Sequence, residues 1–286
     1  MTEPQRRELD ALMSLLEDPD MQVFSSVSER LVAMGPVAVS PLERRWELTL
    51  KPELQYRIET VIRDIQFKDL STALVSWRSE GGKDLLMGAS LVARTQYPEL
   101  DYQKLNEVVE KVRRDIWLEL NSQLTALEKV RVINYFFYQI HRFDKSLKKA
   151  HNPHLYLVNH VIDTRRGSPV LLGLLYAEIA RRLDLPVYGV NLPRNFVLCY
   201  YDADYQEDPN GILFYINPTD QGSVLGTKEL KSFLSKIKVE ERPSFFTPCS
   251  GVDIIERLLL NLRYIYERSG ETDKANQIRL LMDYAS

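Results

Sequence analysis

The sequence predicts an α+β fold that is mostly helical, in which a buried helix packs on a small antiparallel sheet and helical modules flank this core. Apolar residues recur at helical spacing along most of the 286 residues. Three short runs rich in β-branched and aromatic residues then follow one another at 187–192, 196–201 and 212–217. The helix before them begins at Ser168-Pro169, residue types preferred at the N-cap and first position of a helix.

The composition is that of an ordinary folded protein. Hydrophobic residues make up 44% and charged residues 27% of the chain, which argues against extensive disorder. The net charge of −3 gives no overall attraction to nucleic acid or to an anionic membrane. We therefore expect neither a nucleic-acid partner nor a membrane partner.

Two features of the sequence predict a cytoplasmic protein. Cys199 and Cys249 are too few for a disulfide framework, which favours a reducing compartment. The first residues lack the continuous apolar stretch and small-residue cleavage site of a signal peptide, and no apolar run reaches the length of a membrane span.

The first 67 residues are predicted to form helices with short breaks. Apolar stripes are interrupted at Asp18-Pro19-Asp20 and again at Gly35-Pro36, and a further helix is expected at 53–65. This arrangement resembles a little more than one HEAT repeat. A single repeat cannot bury its apolar face alone, so the region should pack on its neighbour or offer that face to a partner.

The middle of the chain continues as helices, including one at 125–143, and then reaches a histidine-rich segment. His151 and His154 flank Asn152-Pro153, and His160 follows on the next helix. Imidazoles are good metal ligands, but this spacing is not the i, i+4 arrangement on one helix, and no carboxylate or thiol motif completes it. We predict no metal site and no cofactor.

The segment RRGSPVLLGLLYAEIARRLDLPVYGVNLPRNFVLCYY, followed by YINPTDQG, resembles the core of the transglutaminase-like superfamily, in particular its bacterial SirB-type branch. The resemblance covers roughly 84–285 and implies a papain-like core. Active members of the superfamily have a cysteine nucleophile at the N-terminus of the core helix, a histidine that opens the second strand, and an Asp or Asn on the third. Here the corresponding positions hold Ser168 and Pro169, Asn195, and Asn217.

These residue types cannot perform the cysteine–histidine chemistry. A thiol at a helix N-terminus ionises readily, whereas a serine hydroxyl needs a general base. The amide of Asn195 takes up no proton near neutral pH. Ser168 is therefore interpreted as a helix N-cap, and Asn195 and Asn217 as turn residues. His160 is the best substitute base by sequence proximity, and Cys199 is the other candidate nucleophile.

Arg165, Arg166 and Gly167 form a possible binding site beside the start of the core helix. Guanidinium groups next to free helix N–H groups attract anions, and glycine allows close approach of a ligand to the backbone. The competing interpretation pairs an arginine with Asp163 or Glu178 and holds the helix to the sheet, and the sequence favours this structural role.

After a short helix at 227–234, which Thr227 could cap, the last segment reads as a helical hairpin with a turn at Gly270. It resembles one tetratricopeptide-type unit. We therefore predict a HEAT-like region at 1–67, a transglutaminase-like domain at 68–248, and a tetratricopeptide-like hairpin at 249–286 that packs on the core.

The sequence supports two hypotheses for function. The first is a catalytically degenerate transglutaminase-like protein that binds another protein, as a binding or scaffold module. The alternative is an acyl-transfer hydrolase, an amidase or peptidase of cysteine or serine type, with a non-standard catalytic set. An enzyme requires a nucleophile within hydrogen-bond reach of a base, and a scaffold does not.

Overall fold

The structure is a computed structural model that describes residues 2–145, 152–205, 208 and 210–285. His151 lies outside the described residues, so the predicted position of that side chain stays a prediction. The chain divides into two compact units, Met1–Val75 and Ser76–Ser286, and each is described by itself.

The first unit is entirely helical in its described part. Its helices are α1 (Glu3–Leu15), α2 (Met21–Met34), α3 (Val39–Leu48) and α4 (Pro52–Ser79), of which α4 continues past the division. Asp20 caps α2 by accepting a hydrogen bond from Gln22 N at 2.7 Å, and Gly35 ends it with a φ of +73°. The two predicted breaks therefore lie where the sequence placed them.

The helix predicted at 53–65 is longer than expected. No glycine or proline interrupts the chain between Pro52 and Ser79, so α4 runs through the predicted domain boundary at 67/68. The core of the first unit is apolar and forms one cluster, which includes Leu9, Leu16, Val27, Leu31, Leu42 and Ile58.

The second unit contains eight further helices in its described part. They are α5 (Leu85–Arg94), α6 (Tyr102–Trp117), α7 (Ala126–Asn134), α8 (Val158–Thr164), α9 (Pro169–Arg181), α10 (Thr227–Lys236), α11 (Gly251–Ser269) and α12 (Thr272–Ala285). The continuous helix predicted at 125–143 is wrong in detail, because α7 gives way to a π-helical turn at Tyr135–Ile140. The predicted cap Thr227 is also wrong. Gly226 is the N-cap of α10, and its N–H donates to Glu229 Oε2 at 3.0 Å.

The sheet of the second unit is a four-stranded antiparallel meander, as predicted, with one more strand than expected. Its strands β3 (Val187–Val190), β4 (Val197–Tyr201), β5 (Ile212–Asn217) and β6 (Ser223–Leu225) are ordered β3-β4-β5-β6. A separate parallel pair joins β1 (Asp144–Lys145) to β2 (Arg166–Gly167). The edge strand β6 and this pair are too short to leave a periodic signal in the sequence.

Helix α9 is the centre of the second unit. Its residues from Val170 to Ala180 are all buried, so protein surrounds the helix on every side. Gly173 allows close packing, because a Cβ at this position would lie 2.6 Å from the Phe196 ring. The mostly helical α+β fold with a small antiparallel sheet is therefore confirmed. In the described residues, no helix is long and apolar enough to cross a membrane.

Candidate functional site at the two ends of helix α9

Ser168 is the N-cap of α9 and is only 3% exposed. Its Oγ accepts a hydrogen bond from Leu171 N at 3.3 Å, and its own N–H donates to Leu155 O at 2.9 Å. Among the described residues, no histidine, carboxylate or thiol makes a hydrogen bond with this hydroxyl. The hydroxyl thus terminates a helix, and no base is placed to activate it.

Asn195 and Asn217 also make local hydrogen bonds. Asn195 lies just before β4, and its Oδ1 accepts from Phe196 N at 2.9 Å. Asn217 ends β5, and its Oδ1 accepts from Thr219 N at 3.1 Å and from Thr219 Oγ1 at 2.9 Å. An amide oxygen that accepts these bonds shapes a turn and cannot relay a proton.

The fold brings the neighbours of both asparagines to the same part of α9. The glycine in its second turn, Gly173, faces Phe196, which follows Asn195, and Pro218, which follows Asn217. Tyr138 also reaches this region, because its hydroxyl donates to Pro218 O at 3.1 Å. The positions named by the resemblance therefore surround the N-terminal half of one helix.

Arg257 holds the loop before β4 and was not predicted from the sequence. This arginine of α11 donates from Nη1 to Asn191 Oδ1 and to Leu192 O, the latter at 2.9 Å, and from Nη2 to Asn195 O at 2.7 Å. Burial lowers the pKa of its guanidinium. The only sequence signal was a charged residue within the apolar pattern of a helix that contacts the core.

None of the described histidines makes a hydrogen bond with Ser168. His141 Nε2 lies 2.9 Å from Asp115 Oδ2, and burial lowers the pKa of this imidazole although the carboxylate opposes the shift. The rings of His154 and His160 lie 5.1 Å apart, and burial and then the charge of His154 lower the pKa of His160. Among the described residues, no group of three or more His, Cys, Asp or Glu is arranged to hold a metal ion.

Arg165, Arg166 and Gly167, the predicted anion site, make contacts within the protein, while Arg165 Nη1 is buried without a hydrogen-bond partner among the described residues. The Arg165 guanidinium lies 4.7 Å from the centre of the Phe143 ring, and Arg166 Nη1 donates to Arg142 O at 2.8 Å. Gly167 is packed so closely that a Cβ would lie 2.9 Å from Val161 Cγ1. The close packing leaves no open space on this side of the Gly167 backbone for an anion.

Of the two expected partners of these arginines, Asp163 acts on Arg165, since burial lowers the pKa of this guanidinium and the charge of Asp163 opposes the shift, whereas the pairing with Glu178 is wrong. Glu178 is fully buried on α9 and instead accepts hydrogen bonds from Arg181 at 2.7 Å, from Arg182 at 2.7 Å and from Leu85 N at 3.2 Å. The arginines that satisfy it are its own helical neighbours three and four residues later, which sequence spacing alone could have indicated.

Neither cysteine is an activated thiol. Cys199 is fully buried in β4, and burial raises its pKa to about 12. Burial likewise raises the pKa of Cys249 to about 12. Both side chains are therefore protonated thiols at neutral pH, and Cys199 belongs to the apolar cluster that also contains Val190 and Tyr215.

A different feature opens at the C-terminal end of α9. It is a cleft of about 670 Å³ between the loop before α5, the end of α9 with β3, and the start of α11. We call it the β3 cleft. Its floor is apolar and its walls are rich in glycine. The charged side chains in its lining are two cations and one anion. The lining includes Gly82, Lys83, Leu85, Ala177, Arg181, Asp184, Val187, Gly189, Gly251 and Ile254.

Comparison with known proteins relates the chain to proteins from bacteria and animals. The sequence profile of the transglutaminase-like superfamily matches residues 102–260. A UPF0162 protein of Xylella fastidiosa is 26% identical over 197 residues, which are 67% of this chain and 68% of that protein. A UPF0162 protein of Pseudomonas aeruginosa is 33% identical over 122 residues, 42% of each chain.

F-box only protein 21 of Mus musculus is 24% identical over 169 residues, 58% of this chain and 25% of that protein. No solved structure matches the chain significantly. The superfamily profile spans more than half of the sequence and contains α9, its capping serine and the whole four-stranded sheet. The chain therefore belongs to the transglutaminase-like superfamily.

Proposed function

We propose that this chain is a catalytically inactive, SirB-type member of the superfamily that works by binding another protein. The observation that carries the proposal is the hydrogen bonding of Ser168. Its hydroxyl is buried, caps α9, and has no titratable partner in the described part of the chain. A nucleophilic hydroxyl would need a base within hydrogen-bond reach, and Asn195 offers only an amide.

The alternative, an acyl-transfer hydrolase, rests on one specific contact. His141 and Asp115 form an imidazole–carboxylate pair, which is two-thirds of a catalytic triad. The pair lacks a nucleophile, because no serine, threonine or cysteine of the described residues makes a hydrogen bond to His141. The lowered pKa of His141 has an ordinary physical cause in its burial, so it does not require a catalytic role.

The arrangement of the chain is consistent with a binding role. We propose that residues 1–67 are a HEAT-like docking region, that 68–248 are the transglutaminase-like domain, and that 249–286 are a tetratricopeptide-like hairpin. The match to a quarter of F-box only protein 21 supports a module that also serves within a longer protein. The two free thiols suit a reducing cytosol, and the proposal places the protein there.

The absence of catalysis is tested with a panel of ester and amide substrates. The wild-type chain is compared with Ser168→Ala, Cys199→Ser and Cys249→Ser, each checked for folding by circular dichroism. We expect every rate to equal the background rate. A wild-type rate that falls by two orders of magnitude in one of these variants would overturn the proposal in favour of the hydrolase.

The binding role is tested with a purified partner. Proteins that co-purify with the full chain are identified, expressed separately and titrated against it by calorimetry. We expect a saturable complex of fixed stoichiometry whose Kd is the same for wild type and Ser168→Ala. The proposal fails if no separately purified candidate binds directly.

A further inference from the structure

We propose that the β3 cleft binds an extended, acidic peptide segment of a protein partner as an additional strand on the edge of the sheet. This inference rests on the proposed binding function and adds to it a site, a mode of binding and a charge preference. It concerns the C-terminal end of α9, away from the residues that the superfamily resemblance singled out.

The direction of the β3 backbone groups follows from two hydrogen bonds. Tyr201 N donates to Pro186 O at 2.8 Å, so Pro186 and Tyr201 face each other as a hydrogen-bonded pair. Because the pairs of an antiparallel ladder alternate, the backbone groups of Val187 and Gly189 point away from β4. Cys249 N donates to Gly189 O at 2.8 Å from outside the sheet, which agrees with this direction.

One donor and one acceptor remain on this edge. Val187 N donates to Leu185 O, and Gly189 O accepts from Cys249 N. In the described part of the chain, no hydrogen bond from outside the sheet reaches Val187 O or Gly189 N. These two groups flank Tyr188, and a single residue of an added parallel strand can donate to the first and accept from the second.

The walls and floor of the β3 cleft combine backbone with apolar side chains. Gly82 and Gly251 form part of one wall and pack tightly against each other. A Cβ on Gly251 would lie 2.0 Å from Gly82 O. The apolar floor includes Leu85, Ala177 and Ile254, which would contact a small or medium side chain of the peptide. The β3 cleft thus combines two backbone groups of the sheet edge, Val187 O and Gly189 N, with an apolar side-chain pocket.

The charges of the lining favour an acidic peptide. Lys83 is exposed and makes no ion pair with any described residue. Arg181 uses Nε and Nη2 for Glu178, while its Nη1 has no such bond. Arg181 is thus already paired with Glu178, and Asp184 is the single acidic residue in the lining, so Lys83 is the lining cation without an ion pair to a described residue. A carboxylate on the peptide would be attracted to Lys83, which gives the site its selectivity.

The test begins with a phage-displayed library of random dodecapeptides, selected on the immobilised full chain. Enriched peptides are synthesised and titrated against wild type, Lys83→Glu and Lys228→Glu. Lys228 is an exposed lysine on α10 that does not line the cleft, so its reversal is the matched control for charge. We expect acidic peptides whose Kd rises at least tenfold in Lys83→Glu and stays within twofold of wild type in Lys228→Glu.

The strand-like mode has its own readout. Methylating one peptide nitrogen at a time removes one donor at a time, and we expect a single position to weaken binding at least tenfold because it donates to Val187 O. Hydrogen exchange of the Gly189 amide, followed by NMR, should slow at least tenfold when the peptide is bound. Tyr188→Ala should fold normally, because this side chain is 45% exposed, and should weaken binding less than Lys83→Glu does.

The outcomes separate this inference from the proposed function. If no peptide is enriched, or if binding is indifferent to Lys83→Glu and leaves Gly189 exchange unchanged, the β3 cleft is not the docking site. If a purified partner protein nevertheless binds Lys83→Glu as tightly as wild type, the binding function stands and only the cleft is excluded. Formation of a homodimer through this edge, seen by sedimentation, would also overturn the peptide assignment.

Discussion

The two ends of helix α9 differ in what their polar groups do. At the N-terminal end, Ser168 caps the helix and the side-chain oxygens of Asn195 and Asn217 accept from neighbouring turns. At the C-terminal end, Lys83 and Gly189 line a cleft of about 670 Å³, and within the described part of the chain Lys83 has no ion pair and the Gly189 N–H has no acceptor outside the sheet. Polar groups that already have internal partners stabilise a fold, whereas unpaired groups in a cleft are available to a ligand.

The resemblance relates the N-terminal end of α9 to the catalytic centre of active superfamily members. In the structure, Phe196 and Pro218, which follow Asn195 and Asn217, pack against the second turn of α9. The side chains of the two asparagines accept hydrogen bonds within their own loops. The opposite end has no counterpart among the catalytic positions, and the β3 cleft opens there. Four experiments test whether the first end is only structural and the second is supported rigidly, from the largest expected effect to the smallest.

Removing the buried charge of Glu178, near the β3 cleft, should have the largest effect on the free energy of unfolding. Glu178→Gln leaves Arg181 and Arg182 without their buried carboxylate, so we expect a loss of about 3 kcal/mol in the free energy of unfolding. Urea denaturation measures it. Glu107→Gln, at an exposed site on α6, is the control and should change nothing measurable. A loss at Glu178 no larger than that of the control would mean that this cluster does not hold the cleft wall.

Removing the arginine that holds the loop before β4 should have the next largest effect. Arg257→Met keeps the length of the side chain but leaves Leu192 O and Asn195 O without a charged donor, at a cost of about 2 kcal/mol. Amide exchange at 192–196 should accelerate together with this loss. Arg279→Met removes an exposed ion pair on α12 and should leave that exchange unchanged. An unaltered loop in Arg257→Met would contradict the role we assign to it.

The two capping serines compare the ends directly. Ser168→Ala and Ser250→Ala each remove the N-cap of a helix, so each should lower the free energy of unfolding by about 1 kcal/mol. Thermal unfolding of both variants measures the effect. If Ser168 serves only as a cap, the two losses are similar and no other property of the protein changes. A stability gain in Ser168→Ala would indicate a strained functional hydroxyl instead.

The smallest effect is a pH dependence at the N-terminal side. Burial, and then the charges of Arg165 and Lys111, lower the pKa of His141 below the ordinary value of 6.5, although Asp115 opposes the shift. The unfolded chain therefore takes up a proton first, and the native state loses stability as the pH falls through about 6.5. The wild type should lose more stability across this range than His141→Gln, in urea denaturation at a series of pH values. Identical profiles would contradict the assignment.

The sequence predicted the core helix and three strands because local signals define them. Ser168-Pro169 starts α9, and runs of β-branched and aromatic residues form β3, β4 and β5. The π-helical turn after Asn134 and the extension of α4 to Ser79 were missed, since apolar spacing does not distinguish a π turn from an α turn and no breaker marks the end of α4 where it was expected.

The candidate site could be predicted only in part. The resemblance identified Ser168, Asn195 and Asn217, and elementary chemistry then argued against catalysis by these residues. The β3 cleft could not be predicted, because it forms where segments far apart in sequence meet. The hydrogen bonds from Arg257 to the loop before β4 could not be predicted for the same reason.

The most direct test of the inactive N-terminal end is covalent labelling of the intact protein. The native chain is treated with a fluorophosphonate and, separately, with a vinyl sulfone, and its mass is measured before and after. We predict no adduct at neutral pH, because no base among the described residues contacts Ser168, and because burial raises the pKa of both thiols, of which Cys199 is buried and Cys249 half-buried. A single stoichiometric adduct at Ser168, Cys199 or Cys249 that disappears on unfolding would contradict the account, since only a folded catalytic site activates one residue in this way.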